Sequence, residues 1–249
     1  MNTSRIHIGT SGWHYMHWRG AFYPKDIRPK DFLSYYVRCF STAEINNSFY
    51  KLPEEKTLAA WHDAVPSHFV FSVKASRYIT HMKKLKDPEE SLSRFLARVD
   101  TLGSKLGPIL FQLPPNWNSN LDRLKAFMEA IPKQYRSAFE FRDPRWFVPE
   151  VYDLLSQHQA ALCIFDLQQN VSPKELTANF VYVRLHGPSA NRYEGQYDIQ
   201  TLAAWAVAFS IWERQGREIF CYFDNDQQGF APQDARKLEQ MLSGQYFLR

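Results

Sequence analysis

Cysteine is scarce: three residues, Cys39, Cys163 and Cys221, lie scattered inside apolar runs without metal-like spacing. An odd, dispersed set argues against a disulfide framework and reads as reduced, structural thiols in a reducing compartment. Glycine-rich phosphate loops are missing as well. "GTSG" (9–12) is not GxGxxG, and no P-loop pattern occurs. Neither HxH nor ExxH occurs, so no compact metal motif is written into the chain. No run of 18 apolar residues is present to span a bilayer, and no apolar N-terminal stretch resembles a signal peptide. These absences lead us to expect a cytoplasmic protein with no membrane partner. The formal charge of +4 suits an anionic ligand but falls short of a nucleic-acid-binding signature. Without a Gly/Ser linker, repeat or low-complexity stretch, residues 1–249 read as one domain.

What is present is a large apolar fraction, 45% of 249 residues, enough to bury a sizeable core. Short β-branched and aromatic runs alternate with helical patterns. Strands are predicted at 5–10, 42–46, 69–75, 108–113, 137–142, 161–166, 180–187 and 218–225. The clearest helix is 87–103, with Asp87 and Glu90 as a capping box, Pro88 at the first position and Gly103 at the end. Further stripes run through Phe32, Leu33, Tyr36 and Phe40, through Leu121, Leu124, Phe127, Met128 and Ile131, along 199–215, and through Ala235, Leu238 and Leu242. A weaker helix is expected near 172–178. Eight strand–helix units in this length predict an α/β fold, a single-domain (β/α)8 TIM barrel, over an open doubly wound sheet.

Strand side chains alternate between faces. That rule places Glu44 with Asn46, Ser72 with Lys74, Glu140 with Arg142, Tyr182 with Arg184 and His186, and Tyr222 with Asp224, each set opposite an apolar face. The apolar faces must meet the helices, so the polar set, with Gln112 and Asp166, points inward near the C-terminal strand ends where barrel enzymes build their sites. Four acids and three bases in this ring can largely neutralise one another, and pairing alone is the bland explanation. A barrel without a ligand is more simply filled with Val, Ile and Leu. The stretch "HIGTSGWHYMHWRG" (7–20) leaves the first strand at the same end. There Gly12 permits close backbone approach, Thr10 and Ser11 offer hydroxyls, and Trp13, Tyr15 and Trp18 either stack on a sugar or base or pack the loop.

The motifs "IGTSGWHYMHWRGAFYP", "EINNSFYKLP", "FSVKASRYITH", "LGPILFQLPP", "FEFRDPRWF", "YVRLHG", "YEGQY" and "CYFDND" resemble the YecE-like family, known as domain of unknown function 72. The resemblance runs over nearly the whole chain and implies a TIM-barrel fold. It adds Asn46, Asn47, Tyr50, His81, the Pro114–Pro115 turn, Trp146, Tyr193, Gly195, Tyr197 and Asn225 to the candidate site. The last tyrosines read as a flap after the seventh strand.

Three chemistries compete. In one, the protein is a hydrolase or lyase that works without metal on a phosphorylated or glycosidic small molecule. Lys74, Arg142 and Arg184 hold the anion, Glu44 and Glu140 are acid/base groups, His186 is a proton shuttle, and Asp224 completes the catalytic set. In the second, a divalent metal sits on Glu140, Asp166, His186 and Asp224, in an isomerase- or phosphodiesterase-like enzyme. The third is a ligand-binding module without catalysis. The partner expected throughout is a small anionic or sugar-like molecule.

Overall fold

The computed structural model describes residues 5–167, 170–189, 191 and 193–244. Its strands are β1 (Ile6–Thr10), β2 (Thr42–Ile45), β3 (Val70–Lys74), β4 (Leu106–Gln112), β5 (Ser137–Glu140), β6 (Ala161–Leu167), β7 (Asn170–Val171), β8 (Phe180–Leu185) and β9 (Glu218–Phe223). Its α-helices are α1 (Phe32–Tyr36), α2 (Glu55–Ala64), α3 (Pro88–Val99), α4 (Leu121–Glu129), α5 (Pro149–Gln157), α6 (Ile199–Arg214) and α7 (Phe230–Leu242). The strands follow the order β1-β9-β8-β6-β5-β4-β3-β2, with the two-residue β7 antiparallel on β6. Eight parallel strands alternating with helices make this the expected (β/α)8 barrel fold.

Contacts divide the chain into two compact units, one of Met1–Ala43, Ile164–Ser172 and Asn179–Arg249, the other of Glu44–Cys163 and Pro173–Ala178. In the first unit, β9 pairs with β1 (Ile8 with Cys221) and with β8 (Arg184 with Tyr222). Over this sheet α6 buries Leu202, Trp205, Phe209 and Trp212, and α7 buries Ala235, Leu238 and Met241. Asp198 caps α6 by accepting the Thr201 N–H at 2.6 Å, a contact worth about 1 kcal/mol.

In the second unit, β3, β4 and β5 pair in turn, placing Gln112 beside Glu140. The apolar face of β5 works as the alternation predicts. Phe139 meets Phe111 of β4 and Phe127 of α4, and Phe141 stacks on Trp146 at 4.7 Å. Glu140 is thereby turned to the opposite face. Asn120 caps α4 through the Arg123 N–H at 2.9 Å.

Three expectations are corrected. The segment 172–178 is not helical. Its polar side chains bond the backbone of β6 instead: Thr177 Oγ1 accepts from the Leu162 N–H and donates to the Ala160 carbonyl, and Ser172 Oγ accepts from the Phe165 N–H. Side-chain bonds of this kind compete with helix formation. Nor does Asp87 form a capping box. It sits in the left-handed region (φ 42°, ψ 66°), makes no capping bond, and follows two more left-handed residues, Lys84 and Leu85. Finally, β5 ends at Glu140, so Arg142 lies in the loop beyond it. Helices α2 and α5 lie outside the helices expected from the sequence.

Candidate functional site

In the second unit, the site is built on the C-terminal ends of β2, β3 and β5. Glu44 and Glu140 are fully buried, and Lys74 is 8% exposed. Arg142 reaches back to Glu140, Nε to Oε1, so the carboxylate anchors the guanidinium. Cys163 Sγ lies 3.9 Å from the other Glu140 oxygen. Lys74 Nζ stands over the Phe49 ring at 4.4 Å, a cation–π contact, and Ser48 Oγ bonds the Lys74 carbonyl at 2.6 Å. Phe49 also meets His81 edge-on at 4.9 Å. Tyr50 is exposed, and Gln112 is half-buried. The buried Asn46 Oδ1 has no hydrogen-bond partner among the described residues and is available as an acceptor.

His81 lies on a π-turn, Tyr78–Met82, after β3. Partial burial, and then the charges of Lys74, Arg77 and Arg142, push its pKa down to about 4, against an opposing pull from Glu140. Thr80 Oγ1 donates toward the Ser76 carbonyl at 3.4 Å and lies 2.9 Å from His81 Nδ1. The Thr80 hydroxyl thus engages Nδ1, the donor in that contact being set by the tautomer of the ring.

In the first unit, β8, β9 and the turn after β1 assemble a second polar cluster. Arg184 is 1% exposed, and its Nη2 donates to Asp224 Oδ2 at 3.0 Å and to Ser11 Oγ at 3.1 Å. Asp224 Oδ2 also accepts from His186 Nδ1 at 3.0 Å, while His186 Nε2 faces Arg184 Nη1 at 3.4 Å. Both imidazole nitrogens are therefore engaged. Tyr193, 41% exposed, meets the His186 ring edge-on at 5.5 Å. Gly187 turns the chain out of β8 at φ +103°, where a Cβ would collide with the Glu194 carbonyl oxygen.

Several predicted ligand-binding residues hold the fold as placed. Thr10 Oγ1 donates to the Gly12 carbonyl at 2.6 Å and pairs with Tyr36 Oη. Trp13 is buried, with Tyr23 Oη on its carbonyl, and Trp18 is wholly buried among Tyr15, Phe22 and Tyr23. The aromatic loop is thus mostly packing. Tyr197 is an anchor rather than part of a flap: its hydroxyl accepts from the Gly187 N–H at 2.9 Å, and its own N–H donates to Asp234. Burial and the Asp166 carboxylate raise the Tyr197 hydroxyl far above its ordinary range. Asn225 Nδ2 donates to the Gly195 carbonyl and to Asp234 Oδ2. Trp146 donates to the Trp117 carbonyl and is buried.

Of the proposed metal set, His186 bonds the Asp224 carboxylate, and its backbone N–H donates to the Asp166 carbonyl at 3.0 Å. Among the described residues, no group of three or more His, Cys, Asp or Glu could hold a metal ion. Ser48 and Phe49 lie outside the candidate residues expected from the sequence, because a serine and a phenylalanine carry no chemical signature that marks them as part of a site.

The sequence model of the family described as "Protein of unknown function DUF72" matches residues 7–247. Among curated proteins, UPF0759 protein YunF of Bacillus subtilis is 25% identical over 97% of this chain and 96% of its own length. UPF0759 protein YecE of Escherichia coli K12 is 28% identical over 46% of this chain and 43% of its own length. A solved DUF72 family protein from Thermotoga maritima superposes with TM-score 0.88 at 27% identity, covering 96% of this chain and 99% of that one. One from Enterococcus faecalis gives 0.83 at 21% identity over 96% and 95% of the two chains, a likeness of fold alone. With fold and sequence agreeing along nearly its full length, the chain belongs to the DUF72 family.

Proposed function

We propose that the protein is a hydrolase or lyase that acts, without metal, on a phosphorylated or glycosidic small molecule at the second unit's cluster. One observation carries this reading: Lys74 stands over the Phe49 ring that His81 meets edge-on, and burial together with Lys74, Arg77 and Arg142 depresses the His81 pKa against the pull of Glu140. That balance favours an anion, and an anion bound there would raise the proton affinity of the adjacent imidazole, which is otherwise neutral at pH 7.

In this reading Lys74 and Arg142 hold the phosphate or carboxylate of the substrate, Arg142 being oriented by Glu140. Asn46 Oδ1 and Tyr50 contact the remainder of the molecule, a hydroxyl and an apolar face respectively. His81 Nε2 accepts the proton of the attacking water or of the carbon acid. This moves the proton-transfer role from His186, whose nitrogens face Asp224 and Arg184, to a residue read from sequence only as a binding group. No observation favours the metal-dependent alternative.

The test combines binding and turnover. Calorimetry with inorganic phosphate and hexose phosphates should show binding that weakens about tenfold or more in Lys74→Met, the loss of one charge-assisted contact. A panel of nitrophenyl phosphates and glycosides should then reveal turnover that His81→Gln abolishes while phosphate still binds. Absence of anion binding and of turnover overturns the proposal, and binding without turnover on any member supports the non-catalytic module instead.

A further inference from the structure

Helix α6, in the first unit, carries two apolar faces. One is buried through Leu202, Trp205, Phe209 and Trp212. The other is open: Ile199 is 52% exposed, Val207 60% and Ile211 41%, with Ala203 half-buried between them. These four positions recur every fourth residue, so they form one continuous stripe along a helix about 24 Å long. From Ile199 to Trp212 there is no charged residue. Single exposed aliphatics are ordinary, but a charge-free exposed stripe along a whole helix is not.

The ends of the helix show what fits it. Asp198 stands at the N-terminus and Arg214 at the C-terminus, both exposed. A second copy of α6 laid antiparallel about a two-fold axis sets Ile199 against Ile211 and Ala203 against Val207. The same arrangement brings Asp198 near Arg214 of the partner subunit, twice over. Ala203, Ala204 and Ala208 let the two backbones approach, and the opposed helix dipoles favour this direction. The surface is thus complementary to itself, as a two-fold interface requires.

We propose that the α6 face is a homodimer interface, in which two copies of this chain pair their sixth helices antiparallel. One helix face is smaller than the roughly 800 Å² per partner of a standard interface, so the dimer is a weak and reversible one.

Sedimentation velocity on the full chain, from about 1 μM to about 1 mM, spans the association range of such an interface. The wild type should shift from monomer to dimer. Val207→Glu should raise the dissociation constant at least tenfold by placing a charge in the apolar seam, and Arg214→Glu should raise it severalfold. Val171→Glu, at an exposed apolar residue outside α6, should leave it unchanged. Each variant's melting curve reports whether it folds. Should Val207→Glu fail to fold, Arg214→Glu carries the test. A protein that stays monomeric throughout, or a dimer that neither α6 substitution weakens, overturns the proposal. So does a monomer that floats with anionic vesicles and loses them on Val207→Glu, which assigns the face to a lipid surface.

Discussion

Thr80 Oγ1 stands 2.9 Å from Nδ1 of His81, a histidine whose pKa is held down by burial and by Lys74, Arg77 and Arg142. Nitrogen-15 NMR should find His81 neutral at pH 7, and should follow a titration near pH 4. A midpoint at the ordinary 6.5 refutes the reading of its environment. The same shift affects stability. The folded state holds the imidazole neutral where the unfolded chain would bind a proton, so stability falls as pH drops from about 6.5 toward 4. His81→Gln should flatten that slope in denaturant titrations.

Asp224→Asn removes the carboxylate charge that faces buried Arg184 and also orients His186. We expect a loss of about 3 kcal/mol or more, the cost of breaking a buried ion pair from one side. A urea midpoint unchanged from wild type would show that this carboxylate contributes little to the fold.

Thr177→Val keeps the shape of the side chain but takes a donor and an acceptor from the backbone beside β6. The Leu162 N–H and Ala160 carbonyl then lose their partner, at a cost of about 1–3 kcal/mol. Chemical denaturation measures it, and Thr177→Ser should recover most of the loss.

Glu239 on α7 behaves in the opposite sense from His81. Burial pushes its pKa up to about 8, only partly offset by Arg236. A raised carboxyl pKa gives a contribution that is whole at acid pH and is lost as pH climbs through about 8. Glu239→Gln should therefore raise the melting temperature, by an amount that grows between pH 5 and pH 8. A gain that is constant with pH would trace the effect to packing instead.

The barrel was legible because its signals are periodic. Alternation on β5 turned Phe139 toward α4 and Glu140 away from it, as the sequence alone implied. Elements governed by side-chain-to-backbone bonds were not legible. Ser172 and Thr177 look like helix-tolerant residues until the strand they bond is known, and Asp87 resembles a cap until its backbone is seen to be left-handed. For the candidate site, the types of residue were readable and their engagements were not. Period-two counting found Arg184, His186 and Asp224 without revealing that they bond one another. It also could not tell that Trp18 turns inward while His81 lies against Phe49 and Thr80.

Gly187 shows how little room the chain has at one point beside the Arg184–His186–Asp224 cluster. Its position tolerates no methyl group, because the Glu194 carbonyl oxygen occupies that space and the backbone there is left-handed. Alanine would force the following loop outward and carry Tyr193 away from the His186 ring. Variation in this loop is therefore channelled into its own side chains. Its exit from the strand is fixed by the absence of a single carbon.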